Sequence, residues 1–159
     1  MAGENQKEFM MKRIVAVLLI ALVVMTSAFA EFKVKSVGLE TGEGYFVSVT
    51  AEAAENLDVY GRLGYAGYFG FSTGANYKLA ELHIDNKTVF DVAPGAQLTL
   101  GFRDSLFVLG FLFNCQLSFD NGQFGAFVRP ALGLLHQSYK GNGNTDFNLC
   151  IETGVYYLF

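Results

Sequence analysis

Residues 90–119 read FDVAPGAQLTLGFRDSLFVLGFLFNCQLSF. Taken two at a time, they separate into a greasy set and a polar or small set. Phe90, Val92, Pro94, Ala96, Leu98, Leu100 and Phe102 alternate with Asp91, Ala93, Gly95, Gln97, Thr99, Gly101 and Arg103. After Asp104-Ser105 the division resumes, with Phe107, Leu109, Phe111, Phe113, Cys115, Leu117 and Phe119 against Gly110, Asn114, Gln116 and Ser118. A period of two over more than ten residues is the signature of a strand whose two faces meet different surroundings.

Outward from this hairpin the same pattern recurs. Leu57 to Phe69 sets Val59, Leu63, Tyr65 and Phe69 against Asp58, Tyr60, Arg62 and Gly64. Turn-forming clusters cut the chain at 41–44, 54–56, 70–74, 85–87, 103–105, 120–122 and 140–144. Seven turns predict eight strands, at roughly 32–40, 44–53, 57–69, 74–84, 88–102, 105–119, 122–139 and 146–159. Residues 77–84 do not sort by parity, because Lys78, Glu81 and His83 break the alternation.

Eight antiparallel strands in sequence suit a closed up-and-down barrel, which leaves no unpaired edge. Its bore is barely wide enough for side chains. Here the polar face is also the glycine-rich face, so the economical arrangement puts glycine and charge inside and the Phe and Leu residues outside, in lipid. The expected fold is all-β: a transmembrane β-barrel.

The N-terminal segment fits export. Lys12 and Arg13 precede an apolar run, Ile14 to Val24, and Ala28-Phe29-Ala30 supplies the small residues of a signal-peptidase site. Cleavage is expected after Ala30, with residues 1–30 an upstream extension and signal peptide and residues 31–159 the barrel. The chain of 159 residues carries a formal charge of −4 and has no basic stripe, which argues against nucleic acid as a partner.

The final segment sets Phe147, Leu149, Ile151, Thr153, Val155, Tyr157 and Phe159 against Asn148, Cys150, Glu152, Gly154, Tyr156 and Leu158. An aromatic at Phe159, with Tyr157 and Val155 at alternate positions before it, resembles the signal by which outer-membrane barrels are read by their assembly machinery. Over residues 31–159 the chain resembles the small OmpA/OmpX-type barrels. That resemblance implies a bacterial outer-membrane location, lipid and the assembly machinery as partners, a monomer, and both termini on the periplasmic side. The turns at 54–56, 85–87 and 120–122 would share that side, with four short turns facing outward. A structural, envelope-integrity or surface-interaction role follows.

Parity sends Glu52, Arg62, Asp91, Arg103, Arg129 and Glu152 into the bore, with Asp58 and Lys78 as further candidates. Buried charges survive when paired, so a network of ion pairs filling the lumen is expected over a narrow pore or small apolar-ligand conduit. Cys115 falls on the outward face and Cys150 on the inward one, so no disulfide is expected. His83 and His136 have no ligand-forming neighbours, and neither metal nor cofactor is expected. His136-Gln137-Ser138 resembles the His-x-Ser pair of the outer-membrane lipid A deacylases, which would make Ser138 a nucleophile and His136 its base. Tyr139 stands where that family's motif has Asn, and Glu152 has inward parity, so the orienting carboxylate is missing.

Overall fold

A computed structural model describes residues 33–159; the expected signal peptide, with Ala28 and Ala30, lies outside them. The described residues form nine strands: β1 (Lys33–Thr41), β2 (Tyr45–Ala54), β3 (Leu57–Tyr65), β4 (Phe69–Tyr77), β5 (Ala80–His83), β6 (Thr88–Arg103), β7 (Leu106–Asn121), β8 (Phe124–Tyr139) and β9 (Asn142–Leu158). Each pairs antiparallel with its neighbours, β1 pairs with β9, and β4 pairs with β6. The sheet is closed. β4 and β5 lie successively along β6 and act as one interrupted strand, so the barrel is eight-stranded.

The interruption at Lys78-Leu79 has a cause on the facing strand. The β4–β6 ladder ends at Asn76 opposite Gly95, and the next position on β6 is Pro94, which has no N–H to donate. Lys78 N–H turns to the carbonyl of Asn56, and Leu79 N–H rejoins β6 at the Val92 carbonyl. The break resets the parity, which is why residues 77–84 did not alternate.

Most turns fall at the expected clusters. Lys140 and Gly141 both have positive φ, the pairing of a tight two-residue hairpin, with Tyr139 opposite Asn142. In the 84–87 turn, Asp85 accepts the N–H groups of Lys87 and Thr88 at 2.8 Å each, and these bonds hold its carboxyl below the usual range. The expected turn at 70–74 is incorrect. The chain reverses at Ala66-Gly67-Tyr68, where Gly67 has a φ of 76° and Ala66 N–H donates to the Tyr68 carbonyl. Residues 70–74 belong to β4, and Gly70 and Gly74 face the bore.

Those glycines answer a packing need. Phe46, Tyr60, Phe127 and Tyr156 point into the lumen; parity expected this of Tyr60 and Tyr156, whereas Phe46 and Phe127 depart from the expectation that Phe faces out. Each lies directly across from a glycine on the next strand: Phe46 from Gly64, Tyr60 from Gly74, Phe127 from Gly154 and Tyr156 from Gly125. At each of these glycines a Cβ would run into the opposing ring. A bore too narrow for two facing side chains therefore accommodates one ring over one bare backbone.

The exterior is apolar. On β9, Phe147, Leu149 and Ile151 are 62–70% exposed, while Glu152 beside them is 4% exposed. This inside-out distribution is that of a barrel whose outer solvent is hydrocarbon. Aromatic residues mark its edges. Tyr45, Tyr65, Phe69, Phe102 and Phe107 are successive partners across five strands, and Phe119, Phe124, Tyr157 and Phe159 cluster at the end that holds the chain termini. Gly74→Val should displace the Tyr60 ring and lower the unfolding free energy in urea by about 1–3 kcal/mol, the range for overpacking a filled interior.

Candidate functional site

Near mid-height the bore is crossed by four charges from four strands: Glu40 on β1, Arg62 on β3, Arg129 on β8 and Glu152 on β9. All four face inward, and their mutual contacts put them at one level. Arg62 Nη1 donates to Glu40 Oε2 at 3.1 Å, and its Nη2 donates to Glu152 Oε1. Arg129 donates to Glu40 Oε2 and to Glu152 Oε2, both at 3.3 Å. Each carboxylate therefore bridges both guanidinium groups. The set is neutral, and its side chains are at most 5% exposed.

Rings and amides complete the layer. The Arg129 guanidinium lies between Tyr60 and Phe127, 4.5 Å from each ring centroid, and that of Arg62 lies 4.7 Å from Phe46. Arg is suited to this because its planar, weakly hydrated cation can stack while its edge donates. Gln97 donates to Glu152 at 3.2 Å and accepts the Tyr60 hydroxyl at 2.9 Å, Asn114 donates to that hydroxyl, and Arg129 Nε donates to Gln116 at 3.2 Å.

Two cavities flank the layer. One of about 40 Å³ opens toward the terminal end, among Lys35, Asp58, Lys78, Asp91, Asp120 and Tyr156. The other, about 10 Å³, lies toward the far end beside Phe46, Tyr68, Leu112 and Cys150. The first has room for a few waters and the second for about one at most. Neither would hold a metabolite-sized ligand.

The structure brings together three of the six charges expected in the bore: Arg62, Arg129 and Glu152. Glu40 completes the set and was not among the expected residues, because Val34 and Lys35 break the alternation set by Val37 and Leu39 on β1. Asp91 is buried, but it pairs with Lys78 at 3.2 Å in a separate cluster where Lys78 also binds Glu81. Asp58 is also separate, held by Lys35 at 2.6 Å. Glu52 and Arg103 require correction. Both have inward parity, but each sits at a rim: Glu52 is exposed beside the irregular register at 52–54, and Arg103 is exposed and donates to the Gly67 carbonyl at 2.9 Å. Parity sets direction and says nothing about depth.

His136 and Ser138 do face outward on β8, near the far rim. His136 Nδ1 engages Thr145 Oγ1 at 2.8 Å, and among the described residues no hydrogen bond joins it to Ser138. The nearby carboxylate, Asp146, is held by Asn144 at 2.7 Å. No nucleophile, base and orienting acid are assembled. Cys115 and Cys150 are both free thiols, on opposite faces of the wall. Among the described residues, no cluster of His, Cys, Asp and Glu is arranged to hold a metal.

Removing one carboxylate from a closed set of four leaves a guanidinium uncompensated in a site buried from bulk solvent. Glu152→Ala should therefore cost about 3–5 kcal/mol of stability, measured by urea unfolding in vesicles. Because the second removal leaves both guanidinium groups without a counter-charge, the Glu40→Ala/Glu152→Ala double change should cost more than the sum of the single changes.

No family model and no curated protein matches the chain. Among solved structures, a KdgM porin in complex with disordered oligogalacturonate is similar at 12% identity, covering 79% of this chain and 99% of that one, with a TM-score of 0.26. The barrel assignment rests on the strand pairing and the inside-out surface.

Proposed function

We propose that the chain is a small integral barrel of the bacterial outer membrane, with a sealed lumen and a structural, envelope-integrity or surface-contact role. The observation that carries this reading is the Glu40–Arg62–Glu152–Arg129 layer. It connects strands from opposite walls of the barrel and fills the bore with fixed, mutually neutralised charge. A pathway for solutes would need a continuous hydrated lumen, and neither cavity passes the layer.

In this reading, membrane lipid is the solvent of the outer wall. The end bearing Lys33 and Phe159 faces the periplasm, and the outward face of Val155, Tyr157 and Phe159 is what the assembly machinery engages. The protein acts as a monomer. The short two- and three-residue turns at the far end, 42–44, 66–68, 104–105 and 140–141, leave little surface for a large external partner, which favours the envelope-integrity role over adhesion.

Purified protein refolded into vesicles should migrate differently on a gel before and after boiling, and planar-bilayer recordings of the same sample should show no stable conductance. Identical migration would remove the barrel reading, and steady single-channel steps would remove the sealed-lumen reading. Phe159→Ser should reduce the heat-modifiable fraction in cell envelopes several-fold, with the remainder in a protease-sensitive form.

A further inference from the structure

The outer wall is not equally tall all round. On β3, the outward residues between the two edges run from Tyr65 to Leu57, eight residue steps; on β7 they run from Phe107 to Phe119, and on β6 from Phe102 to Phe90, twelve steps each. A strand rises about 3.3 Å per residue, and barrel strands tilt by about 40°, so the apolar band is roughly 20 Å tall at β3 and roughly 30 Å at β6 and β7. A typical band is about 25 Å.

Both ends of the short wall are fixed by chemistry. Tyr45 and Tyr65 face each other at its far edge, and the polar Glu55-Asn56 turn closes its other edge. The register explains how a closed barrel comes to have unequal walls. The aromatic row Tyr45–Tyr65–Phe69–Phe102–Phe107 runs perpendicular to tilted strands, so it climbs along the barrel axis as it goes round. The step falls at the β1–β9 seam, where the ladder stops at Thr41 opposite Thr153 while β9 continues to Asn142. At the termini-bearing end, β5 and the longer β6–β9 strands take up the remaining offset.

We infer that the barrel is a wedge within its lipid belt: the β2–β3 wall fits a locally thinned bilayer, and the β6–β7 wall one of full thickness. The partner of this surface is bilayer lipid, because the short wall is continuous with the lipid-facing belt and ends in interfacial tyrosines and polar turns at both edges. The inference rests on the membrane-barrel reading above. A uniform bilayer would submerge either the Tyr65 or the Leu57 edge, with the Glu55-Asn56 turn beside it, and small adjustments of lipid thickness cost less than burying such groups.

The test uses nitroxide labels at Tyr65→Cys and Leu57→Cys on β3 and at Phe107→Cys and Phe119→Cys on β7, in a Cys115→Ser/Cys150→Ser background. The proteins are refolded into dioleoylphosphatidylcholine vesicles. Heat-modifiable migration first establishes that each barrel has formed, so failure of the membrane reading appears there and not in the depth data. Collision with oxygen and with a polar nickel complex then gives each label's depth. The expected result is four labels at the same interfacial depth, within about 3 Å. A β3 label several ångströms deeper than both β7 labels would mean submersion or rigid tilt, and β7 labels standing in water would mean uniform thinning; either overturns the wedge. If a rim variant does not fold, Leu63→Cys and Leu109→Cys replace the far-rim pair. Each lies two residues further into the belt, so both labels should then sit about 5 Å deeper.

Discussion

Two guanidinium groups and two carboxylates share the middle of a bore that buries them from bulk solvent, and much of the architecture is a response to that constraint. A buried charge is tolerated when its Coulombic and hydrogen-bonding partners replace hydration. Here the partners come from β1, β3, β8 and β9, so the network can form only when the barrel has closed and these strands are in register. A one-residue slip would turn one member of the set outward into hydrocarbon. The charges thus enforce register as well as filling space.

The same constraint accounts for the distribution of glycine and aromatic residues. A buried arginine is well met by a ring face, and a ring can be admitted to so narrow a bore only where the opposite strand offers no side chain. Tyr60 over Gly74 and Phe127 over Gly154 meet both conditions, and together they hold Arg129 from two sides. The glycines are therefore more than small residues in a tight lumen. They are sites for the aromatics that shield the ion pairs.

Direction was legible in the sequence, because the two faces of each long strand meet media of opposite character. Parity alone placed Arg62, Arg129 and Glu152 inside and Cys115 outside. Depth was not legible. Glu52 and Arg103 have the correct parity, but both lie at rims, where water replaces the need for a partner. Glycine serves both turns and close packing, which is why 70–74 resembled a turn; the signal that separates them is an aromatic directly opposite on the paired strand, Tyr60 across from Gly74, which requires the register to be known. Pro94 was an available clue to the break at Lys78-Leu79. A proline inside a long strand leaves its neighbour without a donor at that position, whichever face its ring occupies.

The polar outward residues of β8 and β9 follow from wall height and not from chemistry. The aromatic row that begins at Tyr45 reaches Phe107, and its next partners are Ser138 and then Gly143. In the membrane reading proposed above, the row climbs as it circles the barrel and these positions stand highest, level with the headgroups. Side chains there have to satisfy water, and His136 does so together with Thr145 on the adjacent strand. A histidine and a serine two residues apart at that height share a face because a strand repeats every two residues. Catalysis would demand a third group to orient the imidazole, but the residue facing His136 is Thr145, the neighbouring Asp146 is held by Asn144, and Glu152 lies far along β9, turned inward to Arg62 and Arg129.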